Sequence, residues 1–135
     1  MSAFGDRPLA AYGTLQFPEI LRSLLGRLPE AAPGAIIDHE ARRLHGVSYP
    51  GLIPVPGAAA PAQLLMDLSE EDWAILDAYE DDFYALTPVR VRVEDGSEVD
   101  AIAYCVPESM ASNHSWTTQW FLVEHLETFL GEIGV

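Results

Sequence analysis

The pattern of apolar and polar positions predicts a helix over residues 69–84. At ~100° per residue, Trp73, Leu76 and Phe83 fall within one stripe of that helix, roughly 80° wide. The same stripe includes Glu80, whose carboxylate departs from the apolar character of its neighbours. The pattern therefore singles out one acid on the face that is expected to turn inward.

Two local signals predict where this helix begins. Ser69 is a favourable N-cap residue, and Asp72 follows it at the spacing of a capping box. Leu68 and Trp73 occupy the positions of a hydrophobic staple, whose two side chains pack together and orient the incoming chain. We therefore expect the helix to start directly after Ser69.

An acid on an inward face has two interpretations. Burial disfavours the charged form of a carboxyl and raises its pKa, so that near neutrality the group can both accept and donate protons. That property suits a catalytic acid–base. Alternatively, Glu80 lies at the frayed end of the helix and bends out to water. The periodicity leaves both interpretations open.

The N-terminal pattern predicts a strand, a glycine turn and a helix. Residues 9–15 (LAAYGTL) have the pattern of a strand that runs into a turn at Gly13-Thr14. Glycine there permits a backbone geometry, or a close ligand approach, that a side chain would block. Pro18 fits the first turn of the following helix. Backbone N–H groups at such a junction can bind an anion, although a plain strand–helix connection fits equally well.

The middle of the chain is predicted to contain short strands separated by loops. Residues 33–46 favour one strand, or two strands interrupted by the charged segment 38–43. Residues 49–54 are rich in proline, glycine and large apolar side chains, which favours an ordered loop. Residues 55–61 (VPGAAAP) are expected to form a second loop, a candidate mobile flap. Residues 63–68 (QLLMDL) favour a short buried strand.

A β-hairpin is predicted after the helix of residues 69–84. Residues 86–94 alternate, with valines on one face and charged side chains on the other. Asp95-Gly96 is a hairpin turn signal, and residues 98–106 supply the returning strand.

The C-terminal segment is predicted to be a polar connection followed by a helix. The connection covers residues 107–115, and Ser115 or Thr117 can cap a helix over residues 116–131. The apolar face of this helix, which is expected to pack on the sheet, comprises Trp116, Trp120, Val123, Leu126 and Leu130, with Phe129 and Ile133.

Composition indicates an ordinary globular protein. The 135 residues are 49% hydrophobic and 21% charged, which fits a single domain spanning residues 1–135 with a sizeable core. No apolar run reaches the ~18 residues that cross a bilayer, and no signal-peptide pattern opens the chain. The cytoplasm is therefore the expected compartment.

The charge is acidic and unevenly distributed. The formal net charge is −14. Residues 1–66 balance five arginines against five acids, whereas residues 67–135 set two arginines against sixteen acids and carry the whole excess. Such a field opposes binding to nucleic acid or to an anionic membrane, so neither partner is expected.

Several common chemistries lack the residues that carry them. The sequence has no lysine, which excludes a Schiff-base lysine and a P-loop lysine. Cys105 is the only cysteine, and its apolar context favours a small buried side chain over a nucleophile. The four histidines show no metal-ligand spacing, so no metal site is expected.

Three stretches, taken together and in this order, resemble the γ-glutamylcyclotransferase-like superfamily. They are LAAYGTL at residues 9–15, HGVSYPGLIP at residues 45–54 and LDAYEDDFYALTPVRV at residues 76–91. A YGTL turn about 65 residues ahead of an LDxYE segment is the specific part of the resemblance. The most similar branch is that of γ-glutamylamine cyclotransferase and the plant avirulence-induced proteins, and the resemblance covers about residues 9–106.

The resemblance implies an α+β fold, a small closed or nearly closed mixed β-barrel with flanking helices. It implies an enzyme in which the α-amino group of a small γ-glutamyl substrate attacks its own γ-carbonyl, giving 5-oxoproline and a free amine. Glu80 is then the catalytic acid–base, and no metal or organic cofactor is required. The implied substrate-binding residues are Tyr12, Gly13, Thr14 and Leu15, whose backbone amides hold the α-carboxylate, together with Tyr84.

Two positions depart from the usual pattern of this family. The acid is often followed by glycine and is here followed by Asp81, while Leu86 stands where arginine is common. The missing arginine leaves an alternative open, a non-catalytic module of the same fold that binds a γ-glutamyl-like or 5-oxoproline-like metabolite or a protein partner. The acids at residues 80–82 would make the mouth of the site negative, which suits a cationic or amine-bearing leaving group.

Overall fold

A computed structural model of the chain describes residues 7–47, 49–80 and 82–124. Within these ranges the strands are β1 (Leu9–Ala11), β2 (Ala31–Leu44), β3 (Pro50–Leu65), β4 (Ala85–Val93), β5 (Glu98–Cys105) and β6 (Ala111–Ser115). The α-helices are α1 (Pro18–Leu25), α2 (Glu70–Tyr79) and α3 (Thr118–Glu124). Short 3₁₀ turns cover Thr14–Gln16 and Glu108–Met110.

Five of these strands close into a mixed barrel. β2 pairs antiparallel with β3 on one side and with β4 on the other, and β4 pairs antiparallel with β5. The circle closes through β1, which runs antiparallel to β3 and parallel to β5. A direct parallel pairing of Leu52 with Cys105 also joins β3 to β5. The small mixed barrel with flanking helices is therefore confirmed.

The long ribbon of β2 and β3 corrects the prediction for the middle of the chain. The loop predicted at residues 49–54 and the flap predicted at residues 55–61 are wrong, because residues 50–65 form one continuous strand. Proline and glycine weaken a strand locally, but β2 pairs with residues 50–54 and 59–65 of β3 and supplies the partners that local propensity does not reveal.

The charged interruption predicted in β2 is a bulge within one strand. The register of β2 against β3 shifts between Ile37 and His39, and Asp38 has a positive φ of 58°. The Asp38 carboxylate accepts a hydrogen bond of 2.9 Å from the N–H of Gly57, whose φ is 84°. This bond joins the two strands at the bulge, where the backbone of both strands departs from the extended form.

The predicted hairpin and the predicted helix start are both confirmed. β4 and β5 pair in continuous register from Ala85 to Arg92, and Gly96 in the turn has a φ of 88°. The Ser69 hydroxyl accepts a hydrogen bond of 3.1 Å from the Asp72 N–H, and the Asp72 carboxylate accepts one of 3.0 Å from the Ser69 N–H. This reciprocal pair is the capping box, and α2 starts where the sequence indicates.

The end of α2 differs from the prediction. The helix stops at Tyr79, so that Glu80 is its C-cap residue and Phe83 lies beyond it. Leu76 is fully buried and Trp73 packs against the same core, as the stripe requires. Phe83 instead packs against a second, smaller cluster with Leu44, Ile53 and Val106.

The C-terminal prediction is corrected in two respects. The connection at residues 107–115 contains a 3₁₀ turn and β6, because its backbone pairs with β2. The predicted cap at Thr117 is confirmed, because its hydroxyl accepts a hydrogen bond of 3.1 Å from the Trp120 N–H.

The second correction concerns the apolar face of α3. Phe121 is buried, with 0% of its side chain exposed, whereas Val123 is 74% exposed. Leu126, Phe129, Leu130 and Ile133 lie outside the described residues.

One buried apolar cluster joins the barrel to the helices. It combines strand residues with one face of each helix, including Ile36, Leu64, Val91, Ile20, Leu76 and Phe121. Phe121 stacks on Phe17 with ring centroids 5.3 Å apart, which fastens α3 over the start of α1. Within the described ranges, no helix is long and apolar enough to cross a membrane.

Candidate active site

A cavity of about 220 Å³ opens between the start of the chain and the end of α2. Residues 9–15, from β1 and the following turn, form one wall. Tyr79 and Glu80 come from the end of α2. The remaining lining residues are Tyr49 and Pro50 before and at the start of β3, Tyr84 before β4 and Tyr104 in β5.

All of the site residues named from the sequence line this one cavity: Tyr12, Gly13, Thr14, Leu15, Glu80 and Tyr84. Some 65 residues of chain separate the two halves of the set. They meet because β1 lies between β3 and β5 in the barrel, while α2 crosses toward the turn that follows β1. Residues that are remote in the chain thus line one cavity.

Close packing explains the glycine of the turn. A Cβ on Gly13 would lie 2.7 Å from Cγ of Pro50, inside van der Waals contact with a rigid ring. Glycine therefore lets the turn approach the start of β3, and a larger residue would force the cavity wall apart.

The turn after Gly13 presents the start of a helical segment to the cavity. The N–H groups of Gln16 and Phe17 donate 3.1 Å to the carbonyls of Gly13 and Thr14. The first N–H groups of a helical turn have no acceptor within it, which leaves those of Thr14 and Leu15 for an acceptor from outside. The Gln16 side chain donates 2.6 Å to the Tyr12 carbonyl and braces the turn.

Two side-chain hydrogen bonds hold the end of α2 that carries Glu80. The Tyr79 hydroxyl bonds to the Thr14 hydroxyl at 3.0 Å, which ties the helix to the turn. The Tyr104 hydroxyl donates to the Asp77 carboxylate, which ties the helix to β5. Glu80 itself is half-buried, and its N–H donates 3.1 Å to the Leu76 carbonyl. The helix end from which the Glu80 side chain extends is thus held against both the turn and β5.

The hydroxyls of Tyr12 and Tyr104 are held neutral. The Tyr12 hydroxyl donates to the Tyr104 carbonyl, and burial raises the pKa of Tyr12 well above its ordinary value, with Tyr84 and Glu80 adding to the effect. Burial also raises the pKa of Tyr104, and its bond to Asp77 raises it further. These phenols can donate hydrogen bonds near neutrality but cannot act as bases there.

Sequence reasoning missed part of the site. Tyr49 and Pro50 belong to one of the stretches that carried the family resemblance, so a signal existed, but no role was attached to them. Tyr79 lies directly before Glu80 in the LDxYE segment, so the resemblance could also have pointed to this tyrosine. Asp77 belongs to the LDxYE segment, so the resemblance could have pointed to it, whereas Tyr104 had no sequence signal. Their contact depends on how α2 lies against β5.

The charge of the lining is negative. In the part of the chain that the structure describes, Glu80 is the only charged residue that lines the cavity, and neither arginine nor histidine does so.

Leu86, which stands where arginine is common in the family, pairs directly with Tyr104 across β4 and β5 and packs against the core. Among the described residues, no cluster of histidine, cysteine and acidic side chains is arranged to hold a metal ion.

The sequence matches a family of known proteins. Residues 9–121 match the protein family described as γ-glutamyl cyclotransferase, AIG2-like. AIG2-like protein D of Arabidopsis thaliana is 29% identical over 87 residues, which is 64% of this chain and 57% of the relative. The chain thus corresponds to little more than half of that relative's length.

Solved structures resemble the fold across most of the chain. A solution structure from Arabidopsis thaliana has a TM-score of 0.72 and 18% identity, covering 93% of this chain and 78% of its own. A structure of a γ-glutamyl cyclotransferase has a TM-score of 0.65 and 14% identity, covering 75% of this chain and 66% of its own. At these identities the likeness concerns the fold.

Proposed function

Because the chain belongs to the AIG2-like γ-glutamyl cyclotransferase family, we propose that it cyclises the γ-glutamyl group of a γ-glutamyl amine or peptide, releasing 5-oxoproline and a free amine. One observation carries the proposal: Glu80 and the Tyr12–Leu15 turn line the same cavity although they are remote in sequence. An acid–base and an anion-binding turn in one cavity are what this cyclisation requires.

In this proposal the turn binds the α-carboxylate of the γ-glutamyl group. The N–H groups of Thr14 and Leu15 have no acceptor within the 3₁₀ turn, and both residues line the cavity. Oriented backbone N–H groups stabilise an anion without a cationic side chain. The close contact between Gly13 and Pro50 keeps this wall in place, so the carboxylate would be held at a fixed distance from Glu80.

Glu80 moves protons in both halves of the reaction. The carboxylate first takes a proton from the α-ammonium group, which makes the nitrogen nucleophilic. The amine then attacks the γ-carbonyl carbon, forming the new C–N bond of the five-membered ring. Glu80 returns its proton to the leaving nitrogen as the old C–N bond breaks. The ring nitrogen then loses a second proton, and the released amine takes up one proton to become an ammonium ion. No net proton enters or leaves.

The remaining cavity residues supply position and exclude water. Ring closure is intramolecular, so holding the carboxylate and the γ-carbonyl in a near-attack geometry contributes directly to the rate. The hydroxyls of Tyr12 and Tyr104 are engaged and neutral, so they do not compete with Glu80 for protons. Their rings reduce the access of water that would otherwise solvate the attacking amine.

The direct test is release of 5-oxoproline from a panel of γ-glutamyl amines and peptides by the purified protein. We expect turnover of at least one member and a loss of about 10²–10⁴-fold in kcat for Glu80→Gln, which keeps the side-chain size but removes proton transfer. Glu71→Gln is the matched control, because it removes the same charge from the exposed first turn of α2.

Two results would overturn the proposal. Turnover that survives Glu80→Gln unchanged would remove Glu80 as the acid–base. Binding of γ-glutamyl compounds, detected by calorimetry, without turnover of any panel member would instead indicate a binding module of the same fold.

A further inference from the structure

We propose that Asp77 is a positioning residue for the acid of the site: it accepts the single hydroxyl hydrogen of Tyr104 and thereby keeps that hydrogen away from the carboxylate of Glu80. Asp77 itself does not line the cavity. The inference rests on the proposed cyclotransferase function, in which Glu80 takes up and returns a proton. It adds a residue that controls how readily Glu80 does so.

The hydroxyl of Tyr104 lies near two acids at the end of α2. It donates to the carboxylate of Asp77, and Tyr104 lines the same cavity as Glu80. Burial raises the pKa of Tyr104, the bond to Asp77 and its charge raise it further, and the charge of Glu80 adds to the effect. Asp77 and Glu80 are three residues apart, a spacing that makes side chains neighbours on a helix surface. Glu80 is therefore the alternative carboxylate acceptor for this hydroxyl.

The choice of acceptor matters because a phenol has one hydrogen to donate. A hydrogen bond from it stabilises the charged form of a carboxylate and makes that carboxylate a weaker base. A charged acceptor also forms a stronger hydrogen bond than water does. Without Asp77, the Tyr104 hydroxyl would therefore turn to Glu80 and lower the affinity of Glu80 for the substrate's proton.

The exposure of Asp77 suits it to this role. Asp77 is exposed, whereas Tyr104 is buried. The carboxylate of Asp77 remains in contact with water, so accepting the hydroxyl of Tyr104 does not require a charge to be buried. The bond therefore directs the hydrogen of a buried phenol outward, away from the cavity.

Two neighbouring phenols follow the same arrangement. The Tyr12 hydroxyl donates to the Tyr104 carbonyl. The Tyr84 hydroxyl donates 2.5 Å to the Pro50 carbonyl. The hydroxyl hydrogens of three cavity tyrosines are thus directed to acceptors other than the proposed acid–base.

The titratable groups around Glu80 come from every element that borders the cavity. Those that line it are tyrosines: Tyr12, Tyr49, Tyr79, Tyr84 and Tyr104. Phenols ordinarily titrate near pH ~10. Burial raises the pKa of Tyr12 and Tyr104, and it also raises the pKa of the Cys105 thiol next to Tyr104 in β5. Below neutrality, the described groups of this region that change charge are therefore Glu80, Asp77 and the exposed Asp82, which is the same in every variant below.

The test is an NMR titration of the Glu80 carboxyl carbon in the full-length protein, with its signal identified by its loss in Glu80→Gln. In Asp77→Ala the Tyr104 hydroxyl loses its acceptor, and we expect the midpoint of the Glu80 titration to fall by about one pH unit. In Asp77→Asn the amide oxygen still accepts the hydroxyl, so the midpoint should stay above that of Asp77→Ala. Both substitutions remove the same charge, so the difference between them measures the hydrogen bond.

A double variant separates this role from simple bracing of the helix. Tyr104→Phe keeps the ring but removes the hydrogen, so in the Asp77→Ala background it should raise the midpoint back to that of Asp77→Asn. Bracing does not predict this restoration, because the double variant also lacks the bond between α2 and β5. The acidic limb of the pH profile of kcat for 5-oxoproline release should move in the same order. The kcat of Asp77→Ala should be about threefold or more below that of the double variant.

The outcomes separate the two proposals. Equal midpoints in the wild type, Asp77→Ala and Asp77→Asn overturn the role of Asp77, and release of 5-oxoproline by these proteins leaves the cyclotransferase function standing. A midpoint that falls in Asp77→Ala and is restored by Tyr104→Phe, in protein that turns over no γ-glutamyl compound, supports the role of Asp77 and overturns the catalytic function. A midpoint that falls in Asp77→Ala and is not restored by Tyr104→Phe overturns the role of Asp77, because the tyrosine hydrogen is then not the cause.

Discussion

Each end of α2 carries a carboxylate that is at least half-buried, but the surroundings of the two carboxylates differ. Asp72, in the first turn, is 5% exposed and is surrounded by donors: the Ser69 N–H at 3.0 Å and the Arg27 guanidinium at 2.5 Å. Glu80, at the other end, is half-buried in a cavity whose walls are tyrosine rings and a backbone turn. One helix thus holds a structural acid and a candidate catalytic acid.

The pKa of Asp72 reflects the hydrogen bonds that its carboxylate accepts. Burial by itself raises the pKa of this group, but hydrogen bonds from Ser69 and Arg27 outweigh that effect and hold the pKa below its ordinary value. Such an acid stays charged and cannot exchange protons near neutrality. A catalytic acid must lack this degree of stabilisation, because burial alone does not make an acid reactive.

The largest predicted effect comes from neutralising the two acids in turn. Glu80→Gln should raise the activation barrier by about 3–5 kcal/mol and change the free energy of unfolding by less than about 1 kcal/mol. Asp72→Asn should do the reverse: it lowers the free energy of unfolding by about 1–3 kcal/mol, because Arg27 loses the more buried of its two carboxylate partners and the capping box is weakened. Urea unfolding and 5-oxoproline release, measured on both variants, check this.

Asp67→Asn is the control for the Asp72 variant. Asp67 also bonds to Arg27, at 3.2 Å, but both side chains of that pair are largely exposed, so its removal should cost less than removal of Asp72. Equal losses of stability from the two variants would contradict the structural role given to Asp72. A loss of kcat in the folded Asp72→Asn protein that matched that of Glu80→Gln would erase the contrast between the two ends of the helix.

A smaller effect is expected from pH. The pKa of Asp72 is lower in the folded protein than its ordinary value of 3.8, so its stabilising contribution is fully present above that value. The contribution disappears as the pH falls through the lower, folded pKa. The difference in unfolding free energy between the wild type and Asp72→Asn should therefore be constant from neutrality to about pH 5 and vanish in stronger acid. Urea midpoints across this range measure it, and a difference that persists in stronger acid would contradict the assignment.

The smallest effect concerns the bond that ties α2 to the turn. Tyr79→Phe and Thr14→Val each remove one partner of the 3.0 Å hydroxyl contact. We expect a coupling energy of about 0.5–1.5 kcal/mol between the two substitutions in a double-mutant cycle of unfolding. Independent effects of the two would show that the contact does not hold the end of the helix to the turn.

Local sequence signals predicted the elements that interactions between neighbouring residues determine. The capping box of Ser69 and Asp72, the Asp95-Gly96 turn and the alternation of β4 depend on neighbours within a few residues, and all three are confirmed. Only the end of β3 falls within the strand predicted at residues 63–68. The rest of β3 was missed because its proline and glycine residues resemble a loop until β2 pairs with them. The burial of Phe121 was missed because it depends on contact with Phe17, which is distant in sequence.

The candidate site divides in the same way. Periodicity and turn chemistry act over short distances, so they identified the acid at position 80 and the glycine turn at position 13. Three other features depend on the folded chain: the cavity that these two positions share, the contact of Pro50 that requires the glycine, and the bond from Tyr104 to Asp77 at the helix end. These contacts arise when the barrel closes, and closure is set by long-range strand pairing that no local pattern encodes.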